Sequence, residues 1–152
     1  MISRIRVFIK NLQQENVVGN VLSIEIATAV LLFEVMRADQ ENSETEISKV
    51  IELLQKQFKL NKNEVLEILA AAEDESFHAN DFYRFTNTIN NQFPLEERIK
   101  IVESLWLVAY ADGVLDAIEE HIIRRIADLL HLRHSEYIQC KLKIQKQLNP
   151  KI

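Results

Sequence analysis

A single cysteine, Cys140, occurs in 152 residues, so no internal disulfide framework is available and a reducing compartment is the expected setting. Glycine and proline number two each. Tight β-turns are therefore scarce, and the prevalence of Leu, Ile, Glu, Lys and Ala favours helix. No stretch approaches the roughly 20 apolar residues that span a bilayer. The opening Met1–Lys10 scatters charge through its apolar residues, unlike a secretory signal. The expectation is a soluble, cytoplasmic protein, not an integral membrane protein. A surplus of basic charge is missing too: the net charge of −5 argues against nucleic acid as a partner, because phosphate backbones need a continuous basic surface. There is no glycine-rich phosphate loop, and no Ser or Cys nucleophile can be paired with a base from the sequence.

The hydrophobic fraction is 47%. At this length the chain suits one domain over residues 1–152, burying roughly 68–70% of the surface its unfolded form exposes. The fold class expected is all-α, a compact bundle of seven to eight helices. Residues 1–20 carry a basic amphipathic segment (Ile2, Ile5, Phe8 or Ile9, Leu12), whose apolar face suits the domain's own core, a membrane surface or a partner. Ser23 caps a helix whose run Ala27–Phe33 is apolar nearly all round and so belongs at the centre of a bundle. Ser43 with Glu46, and Asn61 with Glu64, write capping boxes before further helices, and Asp116 starts another with Glu119 three residues in. The helix from Asn61 is expected to end near Asp74, with Ser76–Asn80 as an irregular join. Phe82, Phe85 and Ile89 form one face of the next helix. Pro94 opens a helix reaching Asp112 with Trp106 as a core anchor, another starts near Ala117, and a last one covers Glu136 to Gln147.

Two acidic corners stand out. Asp39-x6-Glu46 and Asp112-x6-Glu119 lie 73 residues apart, each after an apolar helix and before another. A self-similar period of this kind signals a repeated helix–corner–helix unit, giving two pseudo-symmetric halves. Packed face to face, the units would converge Asp39, Glu46, Asp112 and Glu119. Four neighbouring carboxylates repel, raising at least one pKa until a proton or a metal neutralises them. Oxygen-only donors favour Ca²⁺, Mg²⁺ or Mn²⁺, with Zn²⁺ and iron left open.

A plainer account exists for half of the set. Glu46 and Glu119 sit at the third helical position, where reaching back to the cap suffices. Asp39 and Asp112 end helices, where a carboxylate costs about 0.3–1 kcal/mol against the dipole unless a cation reverses the sign. An EF-hand does not fit, since Ala117 and Ile123 fall where its Gly and bidentate Glu belong. Di-iron bundles use repeated Glu-x-x-His, and Asp128-Leu-Leu-His131 comes nearest only once. His131, His134 and Cys140 lack a fourth ligand for zinc.

The segment Ala111-Asp112-Gly113-x-x-Asp116-x-x-Glu119, followed by Ile122-Ile123-x-x-Ile126-Ala-x-Leu129-Leu130 and Ser135-Glu136, resembles the second half of a domain of the TerB tellurite-resistance family. The likeness covers about Ile24 to Tyr137 and is strongest from Glu97 onward. It implies a helical bundle in two halves and an acidic metal site mapping to Asp112 and Glu119, and through the repeat to Asp39 and Glu46. The first corner departs from the pattern, with Gln40 for Gly and Ser43 for Asp, which argues against a symmetric two-metal site. The resemblance further implies a non-enzymatic stress-response module working with protein partners, among them a membrane-associated complex with calcium-binding components; a homodimer is left open. The alternatives are a metal-independent interaction scaffold and a carboxylate metalloenzyme.

Overall fold

The apolar run at Ala27–Leu32 determines the architecture, because a helix with no polar face has to be covered from all directions. The computed structural model describes residues 23–38, 44–78, 81–111 and 115–149. Among these lie seven helices: α1 (Ile24–Ala38), α2 (Glu44–Phe58), α3 (Lys62–His78), α4 (Tyr83–Gln92), α5 (Leu95–Ala109), α6 (Ala117–Leu129) and α7 (His134–Leu148). The amphipathic segment at 1–20 falls outside the described residues.

Helix α1 packs against α2, α3, α4, α5 and α6, and α7 docks on α5 and α6. Ala27, Ala29, Val30, Leu31, Leu32 and Val35 are fully buried. Ser23 starts this helix as expected, its Oγ accepting from the N–H groups of Glu25 at 3.1 Å and Ile26 at 3.3 Å, which satisfies donors that a first turn otherwise leaves open. The core around α1 includes Leu54, Ile68, Phe85, Ile101, Trp106, Ile123 and Leu130, all fully buried. Trp106 is the anchor its position implies: the Tyr137 ring lies 5.5 Å from it and the Lys141 ammonium 5.5 Å over its face.

Packing partners correspond between the first three helices and the last three. Helix α1 packs on α2 and α3, and α2 on α3; α5 packs on α6 and α7, and α6 on α7. Across the divide, α1 meets α5 and α6, while α5 meets α1 and α2. Exchanging α1, α2, α3 for α5, α6, α7 leaves this set unchanged, and α4 alone, against α1 and α6, has no counterpart.

Local backbone repeats as well. Helix α2 ends with Lys59 at φ 54 and α6 with His131 at φ 64, the left-handed slot usually given to glycine. One residue on, the Leu60 N–H reaches Gln55 O at 3.2 Å and the Leu132 N–H reaches Ala127 O at 3.0 Å. This six-to-one closure satisfies an orphan carbonyl at each helix end. The next residue then starts a new helix in both places: Asn61 N–H donates to Glu64 Oε1 at 3.1 Å, and Arg133 N–H to Glu136 Oε1 at 2.8 Å.

Helix α3 runs past the break expected near Asp74, to His78. No glycine or proline interrupts residues 62–78, and tertiary contacts favour continuation. Ser76 is buried and its hydroxyl donates to Glu34 of α1, while Arg84 of α4 holds Glu75 at 2.7 Å. The last helix likewise begins at His134, two residues before Glu136, because the Arg133–Glu136 bond sets its start.

Candidate functional site: buried glutamates at two helix corners

Helix α5 closes with Tyr110 N–H donating to Trp106 O at 2.9 Å and Ala111 N–H to Val108 O at 3.2 Å. On the far side of the corner, Asp116 takes an extended backbone and caps α6. The Asp116 Oδ1 accepts from Ile118 N–H at 2.9 Å, and the Asp116 N–H donates to Glu119 Oε1 at 3.2 Å. This reciprocal pair is the capping box expected from Asp116-x-x-Glu119.

Burial separates these corners from ordinary caps. Glu46 and Glu119, each the third residue of its helix, are both fully buried. Glu64 and Glu136 make the same backbone bond at the starts of α3 and α7 yet remain partly exposed. Capping therefore does not require burial. A carboxylate taken out of water costs several kcal/mol unless hydrogen bonds, a counter-charge or a cation compensate it. Neither buried glutamate stands without a partner in the structure.

Of the four carboxylates expected to converge, the structure locates Glu46 and Glu119. Asp39 and Asp112 lie outside the described residues, as do Ser43 and Gly113. Among the described residues, no three His, Cys, Asp or Glu side chains gather as a metal site. That includes His131, His134 and Cys140. The two histidines are exposed, whereas Cys140 is buried with its Sγ 3.9 Å from Ile99 O. Burial first, and then Glu103, push the Cys140 thiol up to about 11, so it is a packed, neutral group.

Two features escape the sequence. Glu34 is partly buried inside the bundle, where desolvation raises its carboxyl above the ordinary range although Arg37 opposes the shift. Nothing in the α1 pattern marks Glu34, since its partner Ser76 is 42 residues away. The second is a cleft of about 730 Å³ beside α6, lined by His121, Arg124, Arg125, Asp128, His134 and Tyr137 among others. The spacing 121, 124, 125, 128 places the first four on one helix face, a polar periodicity that the apolar stripe of the same helix overshadows.

Among the described residues, no helix is long and apolar enough to cross a membrane. No curated protein and no solved structure matches the chain. The family described as tellurite resistance protein TerB matches residues 25–142, a span that runs from the first turn of α1 into α7 and includes both acidic corners. Because that match takes in most of the chain and the seven helices agree with the bundle it implies, the protein belongs to the TerB family.

Proposed function

We propose that this TerB-family chain is a non-enzymatic stress-response module of the tellurite-resistance type, which binds a divalent cation between its two acidic corners and docks protein partners. The observation that carries the reading is the paired burial of Glu46 and Glu119, at matching helix positions, when Glu64 and Glu136 occupy that position and cap their helices while partly exposed. The repeated packing partners of the first three and last three helices support it, because a duplicated unit brings its corners into related environments. Asp39, Glu46, Asp112 and Glu119 would hold the ion. Their donor atoms are all carboxylate oxygens, which suits Ca²⁺, Mg²⁺ or Mn²⁺. The cation would supply positive charge that offsets carboxylate burial and the negative ends of the two preceding helices.

A second reading has its own observation. The Asp116–Glu119 box is a sufficient structural role for Glu119, and on that reading the protein is a metal-independent interaction scaffold. Thermal unfolding of the chain in EDTA, and then with Ca²⁺, Mg²⁺, Mn²⁺ or Zn²⁺, separates the two. A cation at 100 times its Kd stabilises by about 2.7 kcal/mol, and Asp112→Asn is expected to remove the response. Absence of a response to every ion would leave the scaffold.

A further inference from the structure

We propose that the cleft between α6 and α7 is a binding site for a small phosphate-bearing ligand, held by Arg124 and Arg125 with His121 and His134 beside them. The chain is acidic overall, with a net charge of −5, yet these four nitrogen-bearing side chains line one cavity of about 730 Å³. A smaller hollow of about 270 Å³ shares His121, Arg124, His134 and Tyr137 with it, which extends the groove towards Glu120. The cleft is open, since His121, Arg124, Arg125, Asp128 and His134 are all exposed, so a ligand would lie along it with one side in water.

The arginines are not used up by the fold. Among the described residues, the ion pairs engage other side chains and leave both Arg124 and Arg125 out, although Asp128 lies one turn along the same helix face. The Arg125 guanidinium rests 5.8 Å from the Phe82 ring centroid, a contact that leaves its N–H edge available. Of the acidic groups near the cleft, Glu120 is taken by Lys141 at 2.7 Å and Glu136 accepts from Arg133 N–H at 2.8 Å. Guanidinium groups match phosphate oxygens in a two-pronged geometry. The groove also opens at the first residue of α7, where the positive end of a 15-residue helix favours an anion.

The rest of the lining suits the organic part of such a ligand. The His134 ring stacks on Tyr137 with centroids 6.0 Å apart and planes at 20°, and His134 itself is exposed. Burial, and then Glu120, push the Tyr137 phenol up to about 12, so its hydroxyl stays protonated. The Asp128 carboxylate can accept hydrogen bonds from ligand hydroxyls. The framework does not explain these residues: α2, which occupies the corresponding place in the first half, contains neither arginine nor histidine.

The test titrates the full chain with inorganic pyrophosphate and with AMP at constant ionic strength, read by amide chemical shifts and by Trp106 fluorescence. Saturable shifts confined to residues 121–137 are expected, and Arg124→Gln with Arg125→Gln should weaken binding at least tenfold. Lys62→Gln with Lys146→Gln removes the same charge from exposed positions elsewhere and should change little. Unaltered melting of both double variants shows that the fold is intact. Tighter binding of AMP than of pyrophosphate assigns the stacking role to His134, and equal binding assigns recognition to the phosphates alone. Unsaturable or scattered shifts, equal losses in both double variants, or association only with phosphatidic acid vesicles that pyrophosphate does not compete away would overturn the proposal.

Discussion

Glu119 is proposed to cap α6 and to bind a cation, and two substitutions separate these roles. Glu119→Gln keeps the length of the side chain and an oxygen that accepts from Asp116 N–H, now at 3.2 Å, but discards the charge. Glu119→Ala discards the cap as well. A lost cap costs about 1 kcal/mol, and a buried methylene adds about 0.8 kcal/mol. In EDTA, the alanine variant should therefore lie about 2 kcal/mol below the glutamine variant. For a chain of this size that is about 4–8 °C in Tm. The glutamine variant keeps the bond from Asp116 N–H, so in EDTA it should melt close to the parent. Added cation should then stabilise the parent and leave both variants unmoved. Differential scanning calorimetry with and without metal measures every quantity named. A glutamine variant that retained the full metal response would refute the site, and one that fell as far as alanine in EDTA would refute the separation of cap from charge.

Lys59→Gly and His131→Gly relieve a left-handed backbone at φ 54 and φ 64. The Cβ cost of about 1–2 kcal/mol exceeds the added unfolded-state entropy of about 0.4–1 kcal/mol, so urea unfolding should show each variant more stable, and destabilisation would contradict the assigned backbone. Glu34→Gln tests burial through pH. The Glu34 carboxyl is raised in the folded state, so the fold binds its proton more tightly than the unfolded chain does, and stability from this group is lost as pH rises from the unfolded value through the folded one. Glu34→Gln should therefore be more stable than the parent at pH 7, with the gap closing in acid; a gap that widens in acid would reverse the assignment.

The fold is legible in the sequence where periodicity and capping agree. The Ala27–Phe33 run announces a central helix, and Ser23, Asn61 and Asp116 announce starts that the hydrogen bonds bear out. Ends are harder to read. The six-to-one closures use Lys59 and His131 in place of glycine, so the residue that normally marks such a stop is missing. Helix α3 outruns its expected end because Ser76 finds its partner on α1, and a contact so distant in sequence leaves no local trace. At the acidic corners, spacing identifies Glu46 and Glu119 but gives no hint of their complete burial. Glu64 and Glu136 write the same signature at the same helix position without being buried.

If both halves descend from one unit, what they share and where they differ assign separate duties. The shared parts are the left-handed stops, the leucines after them, the caps at Glu64 and Glu136, and the buried Glu46 and Glu119. Most of these are sufficiently explained by building the bundle. Burial of the two glutamates is the exception, since capping alone is done elsewhere by partly exposed side chains. The differences fall on the outer face of α6, where Arg124 and Arg125 have no arginine counterparts in α2, and at the first corner, where Gln40 and Ser43 replace the Gly113 and Asp116 of the second. Bundle packing does not dictate the residue type on an outward helix face, so divergence there is the expected place for function specific to one half. A cation held between corners would depend on both halves together, whereas an anion in the α6–α7 cleft would depend on the second alone, and the two sites should therefore fail independently when their residues are substituted.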